Sequence, residues 1–538
     1  MRLKAMHTLG PLIALVFASA PPVHAGGVVS TCDEPSLLVA LTGGGTVTFT
    51  CSGTITLTAT ITPTSDTTID GTGQNVIISG GGNVGVFFVP AGVKLILNKL
   101  TVANGGASRG AGIFNLGTVA VTDSTLSGNT AAGGPGGGGI FNLEGTLTVT
   151  NSTFSGNSVV DELGGAILNC CGMHPTLTVT NSTFSGNSAL LGGGIANEGG
   201  ALTVINSTFS SNSASEGGGI WGGGTMTVTN STFSGNSVDN IGGGIENLGT
   251  LTVINSTFSG NSAGGGGGVV NRGGTVTMTN GTFSGNSATI PITDGFGGGA
   301  ILNGGTLTLG NTIVSNSPSG GNCIPLGSSG SLIDGGGNLS WPDTTCPGIN
   351  QDPLLDPNGL QNNGGPTQTI ALSPSSPAID AAISANCPAT DQRAVPRPPG
   401  QCDIGAYQLV PFLGSGSFVI GDLNATAGNA VTFWGARWAK DNSLSGGPAP
   451  HAFKGFADTT STTSPACGGT WTADPGNSSG PPDSVPSYMP VIVSSSVTES
   501  GATISGNVSK IVIVKTNLGY GPSPGQTGTG TVVAVLCP

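Results

Sequence analysis

The phrase Asn-Ser-Thr-Phe-Ser-Gly-Asn-Ser recurs down the middle of the chain and sets Phe154, Phe184, Phe209, Phe233, Phe258 and Phe283 at steps of 30, 25, 24, 25 and 25 residues. Leu126 and Ile313 fill the same slot at its two ends. Alternating with these slots comes Gly-Gly-Gly-Ile or Gly-Gly-Ala-Ile, with its apolar member at Ile113, Ile140, Ile167, Ile195, Ile220, Ile245, Val269 and Ile301. A third phrase follows, of the type Thr146-Leu147-Thr148-Val149-Thr150. Strict alternation and β-branching make these segments strands. Three short strands in about 25 residues describe one triangular coil. A propeller blade needs four strands and a longer unit, and the Leu and Asn spacing of leucine-rich repeats is missing. The expected fold is all-β: a right-handed, single-stranded parallel β-helix of the pectate-lyase-like kind, with Phe over Phe and Ile over Ile in a continuous core.

Two Asn series run in register with these phrases. One follows the Gly-Ile phrase (Asn115, Asn142, Asn169, Asn197, Asn247, Asn271, Asn303) and is broken once by Gly222. The other belongs to Ser-Gly-Asn (Asn129 to Asn286). Amides at bends can turn the backbone and bond up and down the solenoid, so these ladders are expected to be structural. Asn-Ser-Thr at Asn151, Asn181, Asn206, Asn230 and Asn255 also fits the glycosylation acceptor pattern, although repeat consensus explains it without such a host.

Gly-Gly-Ala-Ile (Gly164 to Ile167; Gly298 to Ile301) paired with Phe-x-x-Asn (Phe154 to Asn157; Phe258 to Asn261) resembles the repeat of the polymorphic outer membrane protein family. The resemblance covers roughly residues 98–316 and implies a β-helical surface protein, several of that family being adhesins. An alternating, barrel-length C-terminal region is not seen, so membrane anchoring is not carried over. Downstream, Asn363 to Thr369, Ser376 to Asp380, Asp391-Gln392-Arg393 and Cys402 to Tyr407 resemble the choice-of-anchor Q domain, which implies a cap with no catalytic role. Ala394 and Gln408 stand where Gly and Glu are expected. Arg393 is expected to pair with Asp391 or Asp403.

Five regions follow. Residues 1–25 read as a secretory signal, with Arg2 and Lys4 before the apolar Leu9–Ala20 and a Val23-His24-Ala25 cleavage site. Residues 26–97 are an N-terminal cap and irregular first coils, with a short helix expected over 33–42. Regular coils fill 98–316, and irregular last coils with the Q-like cap fill 317–411. Residues 412–538 form a small separate β domain, expected to be antiparallel. Its Trp434, Trp438 and Trp471 offer a ligand platform or a core cluster.

Ten cysteines behind a signal read as disulfides. Proximity couples Cys32 with Cys51, Cys323 with Cys346, Cys387 with Cys402 and Cys467 with Cys537. The adjacent Cys170 and Cys171 are either bridged or free, and with His174 they fall short of a metal site. The only basic residue between Arg109 and Arg393 is Arg272, so nucleic acid is excluded as a partner. No transmembrane span, metal or cofactor is expected.

Asp123, Glu144, Asp161, Glu162, Glu198, Glu216, Asp239 and Glu246 look like single acids in variable turns, with no catalytic constellation. The expectation is therefore a non-catalytic, secreted or cell-surface protein, not an enzyme, that binds an extracellular glycan or cell-surface protein. A carbohydrate-active lyase or hydrolase, whose acids would have to converge across coils, and a passive spacer are the alternatives.

Overall fold

A computed structural model describes residues 26–409, apart from 173–174, 291–296, 328–329, 374 and 399, together with strand backbone between 415 and 535. Strands from Val28 to Asn350 stack into three parallel sheets of 13, 13 and 10 strands, one strand of each per coil. This is a right-handed parallel β-helix. The Thr-Leu-Thr sheet runs from Val28–Val29 to Ser331–Asp334, and the Phe sheet from Gly53–Thr56 to Ile349–Asn350. The Ile sheet runs from Phe87–Val89 to Cys323–Pro325.

Register follows the repeat. Phe184 lies between Phe154 and Phe209, and Ile167 between Ile140 and Ile195. From Phe154 to Phe283 the rings stack at 4.6 to 4.9 Å with planes within 8° of parallel, all fully buried. That spacing is the strand-to-strand distance, so identical rings repeat at the pitch of the backbone. Leu126 takes the slot above Phe154 as expected. Ile313 does not take the slot below Phe283: Val314 does, and Ile313 pairs with Thr282. Displaced by one residue, Ile313 points to the other face and packs outside with Leu339, Leu372, Ala378 and Ile404.

Both Asn series are buried and bonded along the axis. Asn187 Nδ2 donates to Asn212 Oδ1 at 2.9 Å, Asn212 to Asn236 at 2.9 Å, and each also donates to a Phe-strand carbonyl. The other ladder passes from Asn142 to Asn169 to Asn197 and stops at Gly222. The missing side chain's space is taken by Met226, whose Sδ lies 2.3 Å from where a Cβ on Gly222 would stand. The left-handed bend is made by a third Asn, that of Asn-Ser-Thr, with φ 46 to 52° at Asn151, Asn181, Asn206, Asn230 and Asn255.

The expected helix is present as Glu34–Ala40, capped by Asp33, with Pro35 in its first turn and Leu37 and Ala40 turned into the core. Cys32–Cys51 ties it to the first coils.

The segment after Asn350 was expected to close the solenoid's end, but it lies along the flank. Besides the apolar contact of Leu372, Ala378 and Ile404 with Ile313, its partners are polar groups of earlier coils. Thr232 donates to the Gln368 carbonyl, Thr257 to Gln392 Oε1, and Asn280 Nδ2 to the Asp403 carbonyl. Ser331–Asp334 and Ile349–Asn350, the last strands, stay exposed among the described residues. Arg393 pairs with Asp391 at 2.7 Å beneath the Tyr407 ring, not with Asp403. Ala394 has φ 68°, a left-handed conformation in which a Cβ costs about 1 kcal/mol. Ala394→Gly is therefore expected to raise the stability of this segment by about 0.5 to 1 kcal/mol, read as slower amide exchange over residues 391–408.

Beyond residue 414, strands Ser415–Val419, Thr527–Val535, Lys510–Val514, Tyr488–Val493 and Val431–Thr432 pair antiparallel in that order. Trp434, Trp438, Trp471, Cys467 and Cys537 lie outside the described residues. Elsewhere the structure bonds Cys32 to Cys51, Cys170 to Cys171, Cys323 to Cys346 and Cys387 to Cys402.

Candidate functional site

On the Ile sheet, the residue after each inward Ile faces out. In register these outer residues are Phe88, Phe114, Phe141, Leu168, Ala196 and Trp221, then Glu246, then Val270, Leu302 and Ile324. One coil in the series places a carboxyl where the others place hydrocarbon or an aromatic ring. The slot is covered because the Gly run of each corner folds over it. A Cβ on Gly217 would stand 2.7 Å from Trp221 Cβ, and one on Gly242 2.8 Å from Glu246 Cβ. Both glycines have positive φ, 63° and 76°. Only a residue without a side chain lets the corner lie so close.

Glu246 is fully buried, yet it is not alone. Arg272, just after the next strand of the sheet, brings Nε to 3.1 Å from Glu246 Oε1 and Nη2 to 3.0 Å from Glu216 Oε1. Its side chain is 40% exposed, that of Glu216 16% and that of Glu246 0%. Asn240 Nδ2 donates to Glu216 at 2.7 Å. Three coils thus converge on one spot, with half-buried Trp221 beside Glu246 in the adjoining strand.

The electrostatics separate the two carboxyls. Burial pushes Glu246 up to about 8; Arg272 opposes this, and neighbouring Glu216 adds to it. Glu246 therefore keeps its proton at neutral pH. Neither of its oxygens accepts a hydrogen bond among the described residues, and the Trp221 indole N–H is likewise without an acceptor. Buried polar groups left unmet are uncommon and concentrate where a protein does something besides fold. As an acid, Glu246 can donate its proton to the partly exposed Glu216, so the pair can hold or pass one proton near the surface.

This corrects the expectation that the acids sit singly in variable turns. Two of the eight acids meet, and the only basic residue between Arg109 and Arg393 bridges them. The signal was present in the repeat: the position between Ile and the ladder Asn is apolar in the neighbouring units and Glu in one. Among the other acids, Glu144 and Glu198 flank the Cys170–Cys171 corner, and His174 lies outside the described residues.

The model of the right-handed beta helix region matches residues 61–233. No curated protein matches. A solved structure titled pectate lyase Pel9A matches with 14% identity and a TM-score of 0.34, covering 68% of this chain and 87% of that one. Because two carboxyls converge on Arg272, the expectation that the chain is not an enzyme is withdrawn. No helix among the described residues is long and apolar enough to cross a membrane. By strand register the residues from Val28 to Asn350 form a right-handed parallel β-helix, the fold named by the match over residues 61–233.

Proposed function

We propose that the protein is exported and binds an extracellular glycan along the flank of its β-helix, with Trp221, Glu216 and Arg272 as the contact and Glu246 beneath them. The observation that carries this reading is the buried Glu246, set in an otherwise apolar stack and bridged by Arg272 to Glu216. Sugars are recognised by a flat apolar face together with charged hydrogen-bonding groups, and Trp221 beside Arg272 and Glu216 supplies both. The surrounding surface of Thr, Ser and Asn carries little other charge to compete. The signal-like N-terminus supports an extracellular setting.

Titration of the full chain with acidic and neutral polysaccharides tests this. Saturable binding is expected for at least one, weakened about tenfold or more in Trp221→Ala and in Arg272→Ala, in line with losing an anchor worth one to a few kcal/mol. Equal binding by both variants, or no saturable binding to any glycan, would sink the proposal.

A second reading is favoured by the state of Glu246. A carboxyl that stays protonated at neutral pH, in contact with one that is partly exposed, is equipped for acid–base work on a glycosidic bond, with Glu216 meeting the substrate and Glu246 resupplying its proton. Release of new sugar ends that is lost in Glu216→Gln would establish it; binding without release would leave the glycan-binding reading alone.

A further inference from the structure

We infer that the corner holding Cys170 and Cys171 is a redox-gated site for a thiophilic divalent cation such as Zn²⁺ or Cd²⁺, closed while the two sulfurs are bonded and opened when an external thiol reduces them. Three successive coils supply it. Cys170 ends its strand in the buried outer layer, and Cys171 turns to the surface with φ 65°. The two Sγ atoms and a carboxylate oxygen of Glu198, from the next coil, all lie within 4.8 Å of one another. From the preceding coil, Glu144 reaches over Gly172. A Cβ there would stand 2.1 Å from Glu144 Cγ and 2.3 Å from its Oε1, so the carboxylate covers the turn that follows the cysteines. Both glutamates are exposed and can reorient.

The distances suit a tetrahedral ion. With bonds of about 2.3 Å to sulfur and 2.0 to 2.2 Å to carboxylate oxygen, ligand atoms stand about 3.5 to 3.8 Å apart. Breaking the sulfur–sulfur bond lets the Sγ atoms separate to that range, and Glu198 needs to close by about 1 Å. Two thiolates with the Glu198 carboxylate give a donor set that selects Zn²⁺ or Cd²⁺ over Mg²⁺ or Ca²⁺, with the fourth position left to water. The chemistry balances. Two equivalents of a small thiol are oxidised to their disulfide as Cys170–Cys171 is reduced to two thiols, and the cation then displaces both thiol protons. While the disulfide is intact no thiolate exists, and the carboxylates alone make a weak site.

Cd²⁺ titration of the full chain, read by the ultraviolet thiolate-to-metal band and by equilibrium dialysis, separates the outcomes. The reduced protein is expected to gain an equivalent that the oxidised protein lacks. That equivalent should be absent from the reduced Cys170→Ser/Cys171→Ser protein, which controls for the other disulfides the reductant opens. Glu198→Ala should weaken the site at least tenfold. The proposal is overturned if the oxidised protein binds the same equivalent, if the double serine protein retains it, or if Glu198→Ala leaves its affinity unchanged.

Discussion

Phe209→Ala is expected to lower the stability of the β-helix by about 3 to 5 kcal/mol. Phe209 lies between Phe184 at 4.7 Å and Phe233 at 4.8 Å, with planes within 5°. Its removal opens both faces of one coil at once. In a solenoid each coil is held mainly by its two neighbours, so the cavity weakens two interfaces and no distant contact makes up the loss. The urea midpoint should fall accordingly, whereas Thr203→Ala, on the outward side of an adjoining strand, should move stability by no more than about 0.5 kcal/mol. A midpoint that Phe209→Ala leaves in place would mean that the rings are not a stacked core.

The second large effect is a pH dependence that Glu246→Gln should remove. In the unfolded chain this carboxyl titrates near 4.5; in the folded chain burial holds it up to about 8. Between those values the folded protein keeps a proton that the unfolded protein has released. Stability must therefore fall as pH rises through this window, by up to about 1.4 kcal/mol per pH unit, and level off above about 8. The sum is on the order of a few kcal/mol, with Arg272 moderating it. Asp403, pushed up to about 7 by burial, acts in the same direction between about pH 4 and 7. Chemical denaturation from pH 5 to 9 should show the wild type losing stability steadily and Glu246→Gln losing less, the difference concentrated below pH 8. Parallel curves for the two proteins would contradict the assignment.

The coils were legible because the forces that stack them act on every unit alike. Phe, Ile and Asn recur wherever rings and amides must meet their copies one strand away, so spacing alone gave the register from Leu126 to Phe283. It failed at Ile313, where a one-residue shift turned the side chain outward to meet a segment whose place no periodicity records. That segment's position along the flank depends on single pairs such as Thr257 with Gln392, about 135 residues apart. The site was hidden for the opposite reason. Glu216, Glu246 and Arg272 are 30 and 26 residues apart in sequence, and in a solenoid such separations are one coil each. Read against the register of the strands, Glu246 falls between Ile245 and Asn247 in the outward slot, and the apolar residues of the other coils mark it as the exception. Read as composition, it was one acid among several.

The protonation of Glu246 tests the account at its centre. Carbon-13 labelling of the few glutamate carboxyls, with Glu246→Gln to identify its resonance, follows that group directly by magnetic resonance. A single glutamate carboxyl is expected to titrate near pH 8 and to be missing from the variant; a Glu246 resonance that titrates near its ordinary value of 4.5 would contradict this.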